Sequence, residues 1–286
     1  MTDLAGRTFL VTGANAGIGY ATAQGLAERG GRVWAAFRSQ QKGEAAVAAI
    51  RAETGSDQVL PLHLDLADLA SVSRAAQTVL QSGEPLHVLV NNAGVGGVHG
   101  KTADGFELHF GVNHLGHFAL TQALLPLLTA SAPARIVNVA SDSHFQAKGI
   151  NSGGLRSRTK SITGLPEYAV SKLCNVLHAA ELGRRLAGTG VTAYALHPGV
   201  VASQMWRRVP WPVRPIITRR MLTIEQGART SLYCATSQEV ASESGGYYDS
   251  CRRAEPSKVV TLQLAAALWE YSERWTSVPG PSEPAA

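Results

Sequence analysis

The chain predicts an α/β fold: one Rossmann-type, doubly wound parallel sheet of about seven strands, with helices on both faces and a C-terminal helical extension. Three observations carry this. Short apolar runs alternate regularly with helix-periodic segments, the pattern of right-handed βαβ units. The runs are apolar throughout, as in strands buried on both faces. Between the first run and the first helix lies Thr12-Gly13-Ala14-Asn15-Ala16-Gly17-Ile18-Gly19, a glycine-rich turn.

The elements follow in order. Residues 8–12 form the first strand, and the helix after the glycine turn runs through Ala21 to Arg29, where Gly30-Gly31 ends it. Residues 32–37 are the second strand, followed by a helix through residues 44–50. Residues 59–64 are the third, with Asp65 at its carboxyl end. Asp68 is an N-cap for a helix reaching Gln81. Strand four spans residues 86–90, and a long helix then carries Asn113, His114, Phe118 and Leu120 towards Leu128. Strand five is 135–140, a helix runs from about Tyr168 to Leu186, and strand six is 191–196. A helix from Glu225 to Ala235 precedes a last short strand at 246–248. Leu264, Leu268, Tyr271 and Trp275 then mark one face of a final helix.

Two segments fall outside the alternation. Residues 142–166 are rich in Gly, Ser and basic residues and read as a long loop. Residues 201–221 hold Trp206, Trp211, Arg207, Arg208, Arg214, Arg219 and Arg220. We read 1–277 as one catalytic domain and 278–286, rich in proline, as a flexible tail.

Composition narrows the function. With 45% hydrophobic and 16% charged residues the 286-residue chain has ample material for a core. The net charge of +5 is scattered rather than gathered into a stripe, which argues against nucleic-acid binding. Cys174, Cys234 and Cys251 are odd in number and widely spaced, so neither a disulfide framework nor a zinc knuckle is indicated and a cytoplasmic location is expected. No leader and no membrane-spanning run is read from the sequence. His109, His114 and His117 lie close together but lack the further ligands a metal site needs, and none is expected.

The glycine turn follows a strand and opens a helix, the setting of a dinucleotide site. Gly13 permits the tight turn, Gly17 lets backbone approach phosphate, and Gly19 lets helix pack on strand. The helix N-terminus offers N–H groups and a positive dipole to a pyrophosphate. After strand two, where an acid would select NAD(H), stand Arg38 and Ser39; a guanidinium and a hydroxyl there suit the 2′-phosphate of NADP(H).

Tyr168 and Lys172 stand four apart on one helical face. A free phenol titrates at about 10, and the neighbouring ammonium is expected to lower that value and make Tyr168 a general acid for a carbonyl oxygen.

These residues together resemble the short-chain dehydrogenase/reductase family over nearly the whole chain. The motifs are the glycine turn, Asn91-Asn92-Ala93-Gly94, Asn113, Ser141, Tyr168 with Lys172, and Pro198-Gly199. Lys101 through Glu107, Val112 through His117 and the wide gap from Ser141 to Tyr168 look like its retinol-dehydrogenase branch. Bacterial ketoreductases of the daunorubicin C-13 type look similar too. The resemblance implies a catalytic set of Asn113, Ser141, Tyr168 and Lys172. Ser141 hydrogen-bonds the carbonyl oxygen, and Asn113 holds a helix kink. It also implies cofactor contacts from Gly13, Asn15, Gly17, Ile18, Gly19, Asp65, Leu66, Asn91, Ala93, Gly94, Pro198, Gly199, Val201 and Ser203, besides Tyr168, Lys172, Arg38 and Ser39. Asp65 is placed at the adenine and the Pro-Gly turn at the nicotinamide.

The expected activity is reduction of a bulky lipophilic ketone or aldehyde, first a polyketide- or anthracycline-like ketone, which would belong to antibiotic biosynthesis in secondary metabolism, with a retinal or other lipid-carbonyl reductase, or an alcohol dehydrogenase of the same family, as the alternative. A silent NADP-sensing or scaffold protein on the same fold is the alternative from another class. Residues 201–221 are the expected substrate lid, with Trp206 and Trp211 clamping substrate, or a membrane contact. Ser143 and His144 are expected near the substrate. A homo-oligomer is left open.

Overall fold

The computed structural model describes residues 3–201 and 221–277. Its strands β1 (Thr8–Thr12), β2 (Arg32–Phe37), β3 (Val59–His63), β4 (Val88–Asn91), β5 (Ala134–Val139), β6 (Val191–His197) and β7 (Gly246–Asp249) pair in parallel in the order β3-β2-β1-β4-β5-β6-β7. An eighth strand, β8 (Arg252–Ala254), joins antiparallel to β7. The sequence expectation of about seven strands missed it for a physical reason. Its residues are Arg, Arg and Ala and the arginines are exposed, so no apolar pattern marks it; charged residues on a short edge strand are what keep a sheet from pairing with strangers.

Between the strands run α1 (Gly17–Ala27), α2 (Gln40–Thr54), α3 (Leu69–Gln81), α4 (Leu108–Phe110), α5 (Gly116–Ala130), α6 (Leu165–Arg185), α7 (Ile224–Thr236) and α8 (Leu262–Thr276). Successive strand residues point to opposite faces, and each face has its own core. Phe9, Val11, Val33, Ala35, Phe37, Val88, Val90, Val137, Val139, Tyr194 and Leu196 pack with residues of α1, α2 and α7. Leu10, Trp34, Ala36, Leu89, Ile136 and Ala193 pack with α3, α5 and the end of α6. This is why the strands read as continuous apolar runs. Asp68 caps α3 as expected, its carboxylate accepting from the Ala70 N–H at 2.9 Å.

The final helix turns its buried face by about one position from the expected one. Ala265, Leu268, Trp269 and Ser272 are buried, because Trp269 inserts beside Phe118 and His178 and under the Arg185 guanidinium. Residues 142–166 are more ordered than a plain loop. They contain two 3-10 turns, Asp142–Gln146 and Ser152–Arg156. Among the described residues no helix is long and apolar enough to cross a membrane.

The strand order reverses between β1 and β4. A doubly wound sheet leaves its ligand crevice at the carboxyl ends of the strands at such a switch point.

Candidate active site

The glycine turn opens α1 at that crevice. The N-cap is Ala16, with no side-chain cap and no acid in the first turn, so the free N–H groups of the first turn and their positive dipole are left for an anion. A Cβ on Gly13 would lie 3.0 Å from the Ala93 Cα, and one on Gly19 would lie 2.4 Å from both the Asn92 Nδ2 and the Gly13 carbonyl. Gly17, at φ +58, has nothing within 4 Å of such an atom. Two glycines therefore admit protein against the turn, while the third opens backbone towards a ligand. These residues fit a dinucleotide pyrophosphate.

The structure also separates the two asparagines after β4. Asn91 is buried, and its Nδ2 donates to Thr121 Oγ1 at 3.1 Å and Asn138 Oδ1 at 2.9 Å. Its side chain ties β4 to α5 and β5, which leaves its backbone for the expected cofactor contact. Asn92, absent from the expected contacts, is the buttress of the glycine turn: its Nδ2 donates to the Thr12 carbonyl at 2.8 Å and its N–H to Thr12 Oγ1 at 2.9 Å. The signal lay in strand periodicity, since neighbouring residues face opposite sides, but the register had to be known to use it.

Leu66 likewise has its side chain in the core, so only its backbone remains for a ligand. Asp65 accepts from the Ala67 N–H at 2.9 Å through Oδ1. Arg38 and Ser39 are exposed at the end of β2, where α2 begins with neither a side-chain cap nor an acid in its first turn. No ion pair among the described residues uses Arg38, leaving its charge available for a phosphate. At the other end of the crevice, Ile18, Pro198 and Val201 converge on Gly227, where a Cβ would meet the Val201 Cγ2 at 2.5 Å, the Ile18 Cγ1 at 3.3 Å and the Pro198 carbonyl at 3.5 Å. Gly227 was not singled out in the sequence, and it lets α7 close the pyrophosphate end onto the Pro-Gly turn.

Asn113 lies in a π-helical turn, Gly111–Leu115, between α4 and α5, the type of helix distortion that recurs at functional sites. Its side chain explains the distortion. Oδ1 accepts from the Val95 N–H at 2.8 Å, and Nδ2 donates to the Val95 carbonyl and to Ser171 Oγ, both at 2.9 Å. Ser171 precedes Lys172, whose Nζ donates to the Val139 carbonyl at 2.9 Å and lies 5.6 Å from the centre of the Tyr168 ring. Ser141 lies just past the end of β5 and caps the turn that follows, bonding Asp142 Oδ1 at 3.0 Å and the Ser143 hydroxyl at 3.2 Å. Phenol, ammonium, hydroxyl and Asn113 thus meet at the mouth of the crevice.

The electrostatics correct one expectation. Burial raises the Tyr168 pKa, with the Ser141 hydroxyl opposing the rise and the Asp142 carboxylate adding to it. The ammonium does not dominate. Burial instead pulls Lys172 itself down to about 8, because its charge is removed from water and held only by a neutral carbonyl. The protein alone therefore keeps the phenol protonated, the form an acid needs.

His144 is also corrected. It is fully buried, its Nδ1 lies 2.6 Å from the Ser141 carbonyl, and its Nε2 accepts the Ser257 N–H at 3.1 Å. Both ring nitrogens are engaged, one on the Ser141 carbonyl and the other on the Ser257 backbone, so the buried His144 ring ties the Ser141 turn to Ser257 rather than facing a substrate. Ser143 does stay beside Ser141, donating its N–H to that hydroxyl at 3.2 Å. Ser203, Trp206 and Trp211, and the lid except its two end residues, lie outside the described residues, as does the tail 278–286.

Glu107 explains how the wide gap before Tyr168 is organised. It is buried, accepts from the Phe110 N–H at 2.9 Å, bonds His109 Nδ1 at 2.9 Å and accepts from the Thr159 hydroxyl. Burial would raise its pKa, but these bonds outweigh it and hold the carboxyl below the usual range. Its backbone N–H also donates to the Leu155 carbonyl at 2.8 Å, so the inserted segment is pinned at Leu155 and Thr159. Glu107→Gln keeps the shape but leaves one acceptor oxygen where two were used, so either the Phe110 N–H or the Thr159 and His109 side loses its carboxylate partner. It is expected to cost about 1.5–3 kcal/mol of stability, measured by urea unfolding. The wild-type contribution is present above the unfolded carboxyl pKa of about 4.3 and fades as pH falls through the lowered folded value.

Residues 7–211 match the short chain dehydrogenase family. The chain is 44% identical to retinol dehydrogenase 12 of Mus musculus over 277 residues, covering 94% of this chain and 86% of that protein. It is 43% identical to dehydrogenase/reductase SDR family member 13 of Homo sapiens, over 100% of this chain and 77% of that one. Among solved structures, an uncharacterized protein of Mycobacterium paratuberculosis at 35% identity superposes with a TM-score of 0.78 over 99% of this chain and 97% of its own. The Pseudomonas aeruginosa RhlG/NADP active-site complex, at 27% identity, gives 0.71 over 86% and 95%.

Proposed function

The chain belongs to the short-chain dehydrogenase family of oxidoreductases acting on CH–OH and C=O groups through a nicotinamide cofactor, and we propose that it is an NADP(H)-dependent reductase of a bulky lipophilic ketone or aldehyde. The observation that carries this reading is the meeting of Ser141, Tyr168, Lys172 and Asn113 beside a glycine turn that fits a pyrophosphate. When bound, the cofactor supplies the hydride. Tyr168 gives its proton to the oxygen that gains charge, and the Ser141 hydroxyl donates a hydrogen bond to that oxygen, strongest as the charge develops. Lys172, fixed by the Val139 carbonyl, keeps a positive charge beside the Tyr168 ring. Gly17 and the α1 N-terminus take the pyrophosphate, with Asn15, Ile18, Gly19, Ala93, Gly94, Pro198, Gly199 and Val201 along the crevice.

Arg38 supports NADP(H) over NAD(H), since it is exposed and no acid stands in its place. Arg38→Asp should weaken NADPH binding by about 10- to 100-fold, the worth of a charge-assisted phosphate contact, and improve NADH binding, both read by titrating the nicotinamide fluorescence. Unchanged NADPH affinity would remove Arg38 from the site.

A lipophilic substrate is supported by the rim. Phe145, Ile162, Leu165, Val200 and Leu222 are exposed large apolar residues, borne by the segments that also carry Ser141, Tyr168 and Pro198. The relatives named for retinol support a retinoid-type carbonyl, and the anthracycline-type ketone is the second arm. Initial rates with retinal, an anthracycline ketone and a small ketone separate these readings: preference for the small ketone sinks the lipophilic assignment.

A further inference from the structure

Thr12, at the carboxyl end of β1, uses its hydroxyl more fully than a glycine turn requires. The oxygen accepts the N–H groups of Asn92 and Ala93, each at 2.9 Å. It also lies 2.8 Å from Nε2 of His117. The other ring nitrogen, Nδ1, is 3.0 Å from the backbone carbonyl of Asn113.

The chemistry of these partners settles who donates. A carbonyl only accepts, so Nδ1 carries the proton. The ring is fully buried, and burial, aided by the Lys172 charge and opposed by the Asn113 bond, pulls its pKa down to about 4. His117 is therefore neutral, its Nε2 is an acceptor, and the Thr12 hydroxyl donates to it rather than to the more distant Val90 carbonyl at 3.4 Å.

From Asn113 the bonds turn back. Its side chain exchanges two hydrogen bonds with the backbone of Val95 and a third with Ser171. Ala93, Thr12, His117, Asn113 and Val95 thus form a closed circuit around Gly94. At Gly94 a Cβ would lie 3.2 Å from Asn113 Oδ1 and 3.6 Å from the Lys172 Nζ. The circuit joins the dinucleotide end, at Thr12 and Gly13, to the proton-transfer end, at Asn113 and Lys172.

We propose that His117 is a positioning residue that closes this circuit and holds the two ends of the site in register. Its imidazole is the one group in the circuit that reaches from α5 to β1. The kinetic half of the proposal rests on the reductase reading above; the binding half does not.

Two substitutions divide the ring's two bonds. His117→Asn places an amide N–H where Nδ1 lies and keeps the Asn113 bond. His117→Gln places an amide oxygen near Nε2 and keeps the Thr12 bond. One lost buried bond is worth about tenfold. His117→Asn should therefore raise the Kd for NADPH about tenfold, with kcat at saturating NADPH falling less than about threefold. His117→Gln should bind NADPH within about threefold of wild type, with kcat falling about tenfold. Matching wild-type values in both variants, or equal losses of Kd and kcat in both, would overturn the proposal by reducing the ring to packing volume.

Should either variant fail to fold, Thr12→Val removes the same hydroxyl from the other side. It should raise the NADPH Kd at least as much as His117→Asn does, since the Asn92 and Ala93 N–H groups lose their acceptor too, and the double variant should show little rise beyond Thr12→Val alone, because the shared bond is lost only once. Additive losses overturn the circuit. A wild-type protein that binds NADPH but reduces none of the carbonyls defeats the reductase reading while the Kd values still decide His117.

Discussion

Tyr168→Phe leaves NADPH binding within about twofold and lowers reduction by about a thousandfold or more, at the upper end of what a positioned acid contributes. The change removes one oxygen from a half-buried ring at the mouth of the crevice and leaves the glycine turn, Arg38 and Lys172 in place. Binding by fluorescence and turnover by loss of NADPH absorbance check the two halves separately. Reduction that persists in the Phe variant rejects Tyr168 as the acid.

The pH dependence follows from the same geometry. Burial raises the Tyr168 pKa and draws Lys172 down to about 8. Reduction needs the phenol protonated, so its rate should be level through neutrality. It should fall as pH rises past about 8, first with loss of the Lys172 charge and then with loss of the phenolic proton. Alcohol oxidation needs the phenolate and should rise over the same alkaline range. A reduction rate that climbs with pH would contradict this order.

Gly19→Ala and Gly17→Ala are expected to fail in different ways. At Gly19 the new methyl would sit 2.4 Å from the Gly13 carbonyl and from Asn92 Nδ2, so the turn must deform. Overpacking of this kind costs about 1–3 kcal/mol and should lower thermal stability even without cofactor, with NADPH affinity down by more than about tenfold. At Gly17 the space is open, and the cost to the free protein is only left-handed backbone strain of about 1–2 kcal/mol. The methyl there would stand where backbone approaches phosphate. Its main effect should be loss of the NADPH-induced rise in Tm. Melting curves with and without NADPH separate the two; an NADPH-induced rise as large as wild type in Gly17→Ala would reject that position as the phosphate contact.

The glycine turn, the parallel sheet and the Tyr168–Lys172 pair were legible because each depends on local spacing. Fully apolar strands announce burial on both faces, and residues four apart on a helix share a side wherever the helix sits. β8 was not legible, since exposed arginines carry no burial pattern. The choice between Asn91 and Asn92 turned on a register set by pairing with β1 and β5. The role of Glu107 was hidden because Thr159 and Leu155 meet it only after the inserted segment folds back.

The amino-acid order alone determined the architecture, the glycine turn at the switch point of the sheet and the side-chain types gathered around it, because periodicity and turn chemistry are properties of neighbouring residues. Only the tertiary structure decided the protonation of Tyr168 and Lys172, the neutrality of His117 and the single circuit that binds Thr12 to Asn113. Burial and long-range hydrogen bonds set those states, and both arise from residues that are distant in the chain and meet only when the sheet is assembled.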